Sequence, residues 1–332
     1  MQRQTTIWRF ILDSLRNHQA VMLMYVLESS GSSPGRQGFF MAVNDANKMA
    51  GSLGGGIMEH KFVELAKSKL AAHALEASVH RQVHDKSAPK HQSGMICSGE
   101  QTIFMYVVRE KDMKPIEGMV RCLEQNRNGT FHLTQNGIGF DDRSLQGKTS
   151  FVKHNDEEFE YAQRIGYADH LYIVGGGHCA LALSRLMATM DFYIHVYDDR
   201  PELNTMQQNE YAHERTVVDD YNALVDFVPS GESSYVVVMT FGYRTDDIAV
   251  RALMHKDFKY FGLLGSKKKI EKMFSDYRAE GIPEERLSRI LAPVGVFIKS
   301  ETPEEIAVSI AAEIIGVKNR PMKGVVRGLG QS

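Results

Sequence analysis

The run Leu171-Tyr-Ile-Val174, then Gly175-Gly176-Gly177-His178, then an apolar stretch from Cys179 to Met190, reads as strand, glycine turn and helix in series. That succession confines the second half of the chain to a small set of α/β arrangements. The glycines let the backbone turn tightly, and the first unpaired N–H groups of the helix then converge on one point with the positive end of its dipole. Such a point favours phosphate or pyrophosphate. A comparable turn, Gly51-Ser-Leu-Gly54-Gly55-Gly56, precedes helically spaced Met58, Phe62, Leu65, Ala66 and Leu70 in the first half. Two anion-receiving turns, one in each half, are therefore expected.

With 332 residues the chain exceeds one ordinary core and suggests two domains. The net charge of -2, with Lys, Arg, Asp and Glu dispersed, argues against a nucleic-acid binder built on phosphate neutralisation. No apolar stretch approaches the roughly 20 residues that span a bilayer, and Met1-Gln-Arg-Gln-Thr5 lacks a signal-peptide core. A cytoplasmic protein without membrane contact is expected. Cys97, Cys122 and Cys179 stand far apart, so neither a zinc site nor a disulfide framework is indicated.

The hydrophobic pattern predicts a helix over Thr5 to Asn17, strands at Val21 to Leu27, Phe39 to Val43, Ser78 to His84 and Thr102 to Val108, a helix over Met113 to Asn126 and a hairpin over Thr130 to Gly139. The polar run His154-Asn-Asp-Glu-Glu158 reads as a linker, which divides the chain into an N-terminal α+β domain (1-161) and a C-terminal domain (162-332). Strands at Leu171 to Val174, Tyr193 to Tyr197, Thr216 to Val218, Tyr235 to Thr240 and Tyr260 to Leu264 alternate with helices. The fold class that follows is α/β, with a C-terminal Rossmann-like, doubly wound parallel sheet. Thr302, Pro303 and Glu305 form a capping box ahead of the last helix.

Several side chains are candidates for chemistry. Gly175-x-Gly177-x-x-Ala180 matches the dinucleotide fingerprint in its Ala-ended form, with Gly176 and His178 inside the turn. Asp198 and Asp199 close the next strand, where an acidic group either accepts from ribose hydroxyls or caps the following helix. Gly262-Leu-Leu-Gly265-Ser266-Lys267-Lys268-Lys269 places three cations at a helix start, an arrangement that makes sense if an anion lies there or if the turn is simply solvated. In the first half, Glu59 sits one turn inside its helix. Cys97, between flexible residues, is either an accessible thiolate or a small buried thiol, whereas Cys122 falls on an apolar helix face. His80 and His84 read as the polar face of a strand.

Taken together these segments resemble the XdhC/CoxI family, accessory proteins of molybdenum hydroxylases such as xanthine dehydrogenase. The resemblance rests on Ser30-Gly-Ser-Ser-Pro34-Gly35, Gly51-Ser-Leu-Gly-Gly-Gly-x-x-Glu59, Cys97-Ser-Gly99, Val174-Gly-Gly-Gly-His178, Asp198-Asp-Arg-Pro-Glu202, Gly262-Leu-Leu-Gly-Ser-Lys267, Pro293-Val-Gly295 and Glu301-Thr-Pro-Glu-Glu-Ile-Ala. It implies a chaperone that binds the molybdenum cofactor in its molybdopterin form, with or without a nucleotide extension, shields it during sulfuration and delivers it to the hydroxylase. It also implies a homodimer and a cysteine desulfurase as sulfur donor, and a maturation factor rather than a turnover enzyme. By matching positions, Gly54, Gly55, Gly56, Glu59 and Cys97 are carried over to the cofactor's reactive end. Gly175, Gly176, Gly177, His178, Asp198, Ser266 and Lys267 are carried over to the Rossmann side. The chain departs from the pattern at Ser98, where glycine is usual, and at Thr240-Phe-Gly242-Tyr243, where Tyr243 replaces a histidine. An NAD(P)-dependent oxidoreductase or a nucleotide-sensing regulator on the same sheet are the other readings, although no Tyr with Lys four residues on stands beside the glycine turn.

Overall fold

The computed structural model describes residues 2–83, 99–155 and 158–320, in two compact units, Met1–Tyr167 and Ala168–Ser332. In the first unit, helix α1 (Gln2–Arg16) precedes strands β1 (Val21–Gly31), β2 (Phe40–Asn44) and β3 (Met49–Gly51), helix α2 (Gly56–Ala71), and strands β4 (Ser78–Val83) and β5 (Gly99–Val107). These strands form an antiparallel sheet in the order β3-β2-β1-β5-β4. After α3 (Met113–Glu124), strands β6 (Gly129–Thr134), β7 (Gly137–Asp141), β8 (Thr149–Lys153) and β9 (Phe159–Ile165) make a second antiparallel sheet, β7-β6-β9-β8.

Burial explains why β1 is apolar along its first seven residues instead of alternating. Met22, Met24 and Val26 face α2 through Met58, Phe62 and Ala66. On the opposite face Tyr25 meets Phe40, Phe131 and Tyr161, with ring centroids 5.5, 5.2 and 5.1 Å away, and Trp8 meets Phe40 and Phe131. Aromatic pairs at such distances add to burial. The hydroxyls of Tyr25 and Tyr161 both donate to Gln163 Oε1, at 2.6 and 2.9 Å, so both buried hydroxyls among these rings are satisfied.

The run His154 to Glu158 is not a linker between units. It joins β8 to its antiparallel neighbour β9, and β9 passes through Ala162, so the chain leaves the first unit only after Tyr167. Glu158 N donates to Asn155 Oδ1 at 2.8 Å, the local bonding of a turn. His154, Asn155 and Glu158 are exposed at the hairpin end, and such polar residues resemble a linker in composition alone.

In the second unit β10 (Asp169–Val174), β11 (Phe192–Asp198), β12 (Glu214–Val217), β13 (Gly231–Val238) and β14 (Phe258–Leu263) form a wholly parallel sheet in the order β12-β11-β10-β13-β14. This is the expected doubly wound sheet, with its switch point between β10 and β13. Helices α4 (His178–Met187), α5 (Asn204–Gln207), α6 (Leu224–Phe227), α7 (Tyr243–Leu253), α8 (Lys267–Ala279), α9 (Glu284–Leu287) and α10 (Pro303–Lys318) cover it. Leu171 and Ile173 pack with α4 and α10, and Tyr172 and Val174 with α7 and α8, which is why the strands are apolar on both faces. Thr302 Oγ1 accepts from Glu305 N at 3.2 Å and Glu305 Oε2 accepts from Thr302 N at 3.3 Å, so the capping box is formed. Leu291 runs along the outer side of β14: its N–H donates to Phe261 O at 2.8 Å, and Leu263 N donates back to Leu291 O at 3.0 Å.

At the opposite end of the sheet from the glycine turn, His170 Nδ1 lies 3.1 Å from His195 Nε2, and His195 Nδ1 lies 3.0 Å from Glu214 Oε2. Tyr172 stacks on His195 at 4.4 Å. Burial pushes the His195 imidazole down to about 4, against the pull of Glu214. His170 and His213 are lowered for the same first reason. A histidine is protonated near pH 6.5 in the unfolded chain, so the unfolded state gains protons first on acidification. Stability is therefore complete above pH 6.5 and falls as the pH drops towards 4, by on the order of 2–3 kcal/mol for His195. Thermal melts between pH 8 and 4.5 should show this slope in the wild type and a shallower one in His195→Gln. Equal slopes would refute it.

Candidate functional site

In the first unit, glycines set the shape of the turn between β3 and α2. Gly54 has φ +121°, and a Cβ there would stand 2.3 Å from Gly35 N and 2.4 Å from Pro34 C. The turn is thus pressed against the Ser30–Gly35 loop, and Gln101 Nε2, buried beneath, donates to Gly35 O at 2.8 Å. Gly99 closes on the same loop: a Cβ there would lie 2.6 Å from Ser33 N. Motifs far apart in sequence are in this way brought together. Cys97 and Ser98 lie outside the described residues.

Glu59 occupies the turn itself. Its Oε2 accepts from Ser52 Oγ at 2.7 Å, Leu53 N at 2.7 Å and Gly55 N at 3.0 Å. Burial pushes this carboxyl up, but the Ser52 hydroxyl and the backbone N–H groups outweigh it and leave it below the usual range. The N–H groups expected to receive an external anion therefore already hold the chain's own carboxylate, so Glu59 shapes the turn. Gly55 and Gly56 remain half-buried and exposed, respectively, at the start of α2.

In the second unit, three loops meet at the C-terminal edge of the parallel sheet. Gly175, φ +109°, lets β10 turn beneath β13: a Cβ there would stand 2.4 Å from Met239 O. Helix α4 starts at His178, which is exposed, with Gly177 as its N-cap and no side-chain cap. Ala180 is fully buried against the sheet, as the last fingerprint position requires. Helix α7 likewise starts after Gly242 without a side-chain cap, whereas Ser266 caps α8 by accepting from Lys269 N at 3.3 Å.

Asp198 is brought to the glycine turn but is not free. Its Oδ2 accepts from Gly176 N at 2.6 Å and Arg200 Nη2 at 2.8 Å, and its Oδ1 accepts from Arg200 N at 3.0 Å and Arg200 Nε at 2.8 Å. With four donors on a fully buried carboxylate, no lone pair points outward to a ribose diol. Burial pushes its pKa up, and the bonds from Arg200 and Gly176 bring it below the usual carboxylate range.

Of the three cations at the start of α8, Lys269 has its anion within the fold. Its Nζ donates to Asp246, which is fully buried and also accepts from Thr240 N at 2.9 Å and Thr240 Oγ1 at 2.6 Å. A second bond, to Leu264 O at 3.2 Å, ties the β14–α8 and β13–α7 loops together. Lys267 and Lys268 are exposed beside Ser266. Tyr243 donates to Asp276 Oδ2 at 2.8 Å and so leans on α8. Cys122 donates to Arg127 O at 3.3 Å, and burial raises its thiol and that of Cys179. Among the described residues no group of three or more His, Cys, Asp and Glu is placed to hold a metal ion, and no helix is long and apolar enough to cross a membrane.

The segment Thr240-Phe-Gly242-Tyr243-Arg-Thr-Asp246 is legible in the sequence as the strand-end segment with a following Asp, but the role of Asp246 as the partner of Lys269 is not. Phe241, exposed over 66% of its surface, carries no sequence signal of its own.

Sheet order, switch point and glycine turn define a Rossmann-domain protein with an antiparallel α+β unit ahead of it. The chain belongs to the XdhC/CoxI family: the XdhC and CoxI family matches residues 14–81 and the XdhC Rossmann domain matches residues 171–314. It is 25% identical over 329 residues to a probable xanthine dehydrogenase subunit of Bacillus subtilis, covering 93% of this chain and 97% of that one. It is 22% identical to the molybdenum cofactor insertion chaperone PaoD of Escherichia coli over 94% of this chain and 88% of PaoD. The uncharacterized E. coli protein YqeB is 26% identical over 246 residues, 72% of this chain but 43% of its own length. A crystal structure described as a xanthine dehydrogenase from Bacillus halodurans shares the fold, with a TM-score of 0.71 at 20% identity over 96% of this chain and 98% of that one.

Proposed function

We propose that this protein is a molybdenum cofactor chaperone: it binds the cofactor, protects it during sulfuration and passes it to a xanthine dehydrogenase-type hydroxylase. The observation that carries this reading is the C-terminal edge of the parallel sheet. There the uncapped start of α4 and the exposed Lys267 and Lys268 suit the phosphate of a pterin cofactor, while Asp198, the group that would hold the ribose of NAD, is engaged by Arg200 and Gly176. The near full-length likeness to PaoD agrees with it. The cofactor is cargo here, and it supplies the redox centre of the recipient enzyme. On this reading Gly175, Gly177, His178, Ser266 and Lys267 hold its phosphate end, and Cys97 binds it or relays sulfur from a cysteine desulfurase. The working form is a cytoplasmic homodimer.

The test is anaerobic gel filtration of the full chain with freshly released molybdenum cofactor, with molybdenum and pterin assayed in the protein peak and NAD run in parallel. Co-elution of both, reduced in Cys97→Ala, is the expected result. Retention of NAD with no pterin would overturn the reading in favour of a nucleotide-dependent enzyme or sensor.

A further inference from the structure

Arg200 and Phe241 come from opposite sides of the glycine turn. Arg200 follows β11 and Phe241 follows β13, and the strand between those two is β10, which ends in Gly175. The Arg200 guanidinium carbon nevertheless stands 4.9 Å from the Phe241 ring centroid, so the pair arches across the end of β10. A lone exposed aromatic side chain carries no meaning. This one is held under a guanidinium that a fully buried carboxylate fixes in two places, and most of its ring remains exposed.

The charges beside the ring select among ligands. Asp198 neutralises Arg200, and Asp199 adds a second carboxylate, with Oδ1 3.8 Å from Arg200 Nε. Asp199 Oδ1 takes the Tyr221 hydroxyl at 3.2 Å, which leaves acceptor capacity on its half-buried carboxylate. An acidic flank repels phosphate and attracts ring N–H and amino donors. A planar heterocycle lying on Phe241 with donors on its edge satisfies both groups at once. Adenine and cytosine offer one amino group beside bare acceptor nitrogens. Guanine and pterin share an edge on which an amino group and a ring N–H lie side by side, the match for a carboxylate.

Resting on the reading of this edge as a cofactor site, we propose that Phe241 and Asp199 form a recognition site for a 2-amino-4-oxo heterocycle, with Phe241 stacking the ring and Asp199 accepting from its amino and N–H edge. Pterin and guanine nucleotides carry that chemistry alike.

Equilibrium dialysis of the full chain against free pterin, GMP, AMP, CMP and NAD tests it. Pterin and GMP should bind more tightly than AMP, CMP or NAD. Phe241→Ala should weaken pterin or GMP by about 5- to 100-fold, as base stacking on aromatic side chains implies, while Phe241→Trp retains binding. Asp199→Asn should cost about tenfold or more for pterin and GMP and leave AMP unchanged. Phe241 is exposed, so its variants keep the wild-type melting curve. Pterin binding without GMP assigns the site to the pterin, and GMP binding without pterin assigns it to a nucleotide; both support the site. Equal affinity of Phe241→Ala and wild type, AMP binding as well as GMP, or no binding of pterin and GMP would overturn it. Co-elution of intact cofactor with Phe241→Ala at the wild-type level defeats this inference alone. GMP binding through Phe241 in a protein that retains no molybdenum cofactor defeats the chaperone reading alone.

Discussion

Asp198→Ala should lower the unfolding free energy of the second unit by about 2–4 kcal/mol. The substitution leaves the buried Gly176 N–H without its acceptor and strips the Arg200 guanidinium of a two-pronged partner. An orphaned buried donor costs about 1–3 kcal/mol, and the loss of charge-assisted bonds adds to it. Arg200 is partly exposed and can turn to water, which keeps the total below that of a fully buried broken pair. The effect has a pH signature. Because the folded-state pKa of Asp198 is below its unfolded value, this stabilisation is complete above about pH 4 and is lost as the pH falls through the folded value. Urea unfolding followed by circular dichroism should show the shift at pH 7, with the exposed Lys268→Ala as a near-neutral control. A shift no larger than that of the control would contradict the bonding described.

Gly54→Ala should be severely damaging to the first unit, at about 3 kcal/mol or more. A φ of +121° lies outside even the left-handed basin that asparagine tolerates, and the added carbon meets backbone atoms of Pro34 and Gly35 that no rotamer change can move. The neighbouring Gly55 has φ +82° with open space where its Cβ would point, so Gly55→Ala should cost only about 1 kcal/mol, from conformation alone. The single tryptophan of the chain, Trp8, is buried in this unit, so its fluorescence reports the transition that Gly54→Ala shifts. Equal midpoints for the two alanine variants would show that the close approach to Gly35 is not maintained in solution.

The architecture of the second unit was legible because its signals are local. A continuous apolar strand, three glycines and an apolar helix follow one another within twenty or so residues, and Thr302 and Glu305 state their helix start outright. The site was only half legible, because its decisive contacts join residues that sequence places apart. Asp198 stands where a ribose acid belongs, yet the guanidinium two residues on engages it once the chain turns back. For Lys269 the sequence leaves open an anion at the helix start or a solvated turn, and its actual partner, Asp246, lies 23 residues earlier, on another helix. Glu59 was placed in its turn correctly but with the opposite consequence, since a carboxylate that receives the turn's N–H groups takes the seat of a ligand. In the first unit β8 and β9 were missed because Thr149–Lys153 carries little apolar content and the polar turn after it imitates a linker.

The bridge of Leu291 along β14 gives the two margins of the parallel sheet different fates. An unpaired strand margin is a template for pairing with another chain and hence for aggregation. On the β14 side the N–H of Leu291 and the carbonyl that accepts from Leu263 fill part of that template, so an incoming strand would first have to displace a segment of the same chain. On the other side β12 is four residues long, mostly exposed, and opens with Glu214 and Arg215. Its brevity and charge protect it, and substitutions that lengthen it or remove those charges would turn that margin into the place where misassembly begins.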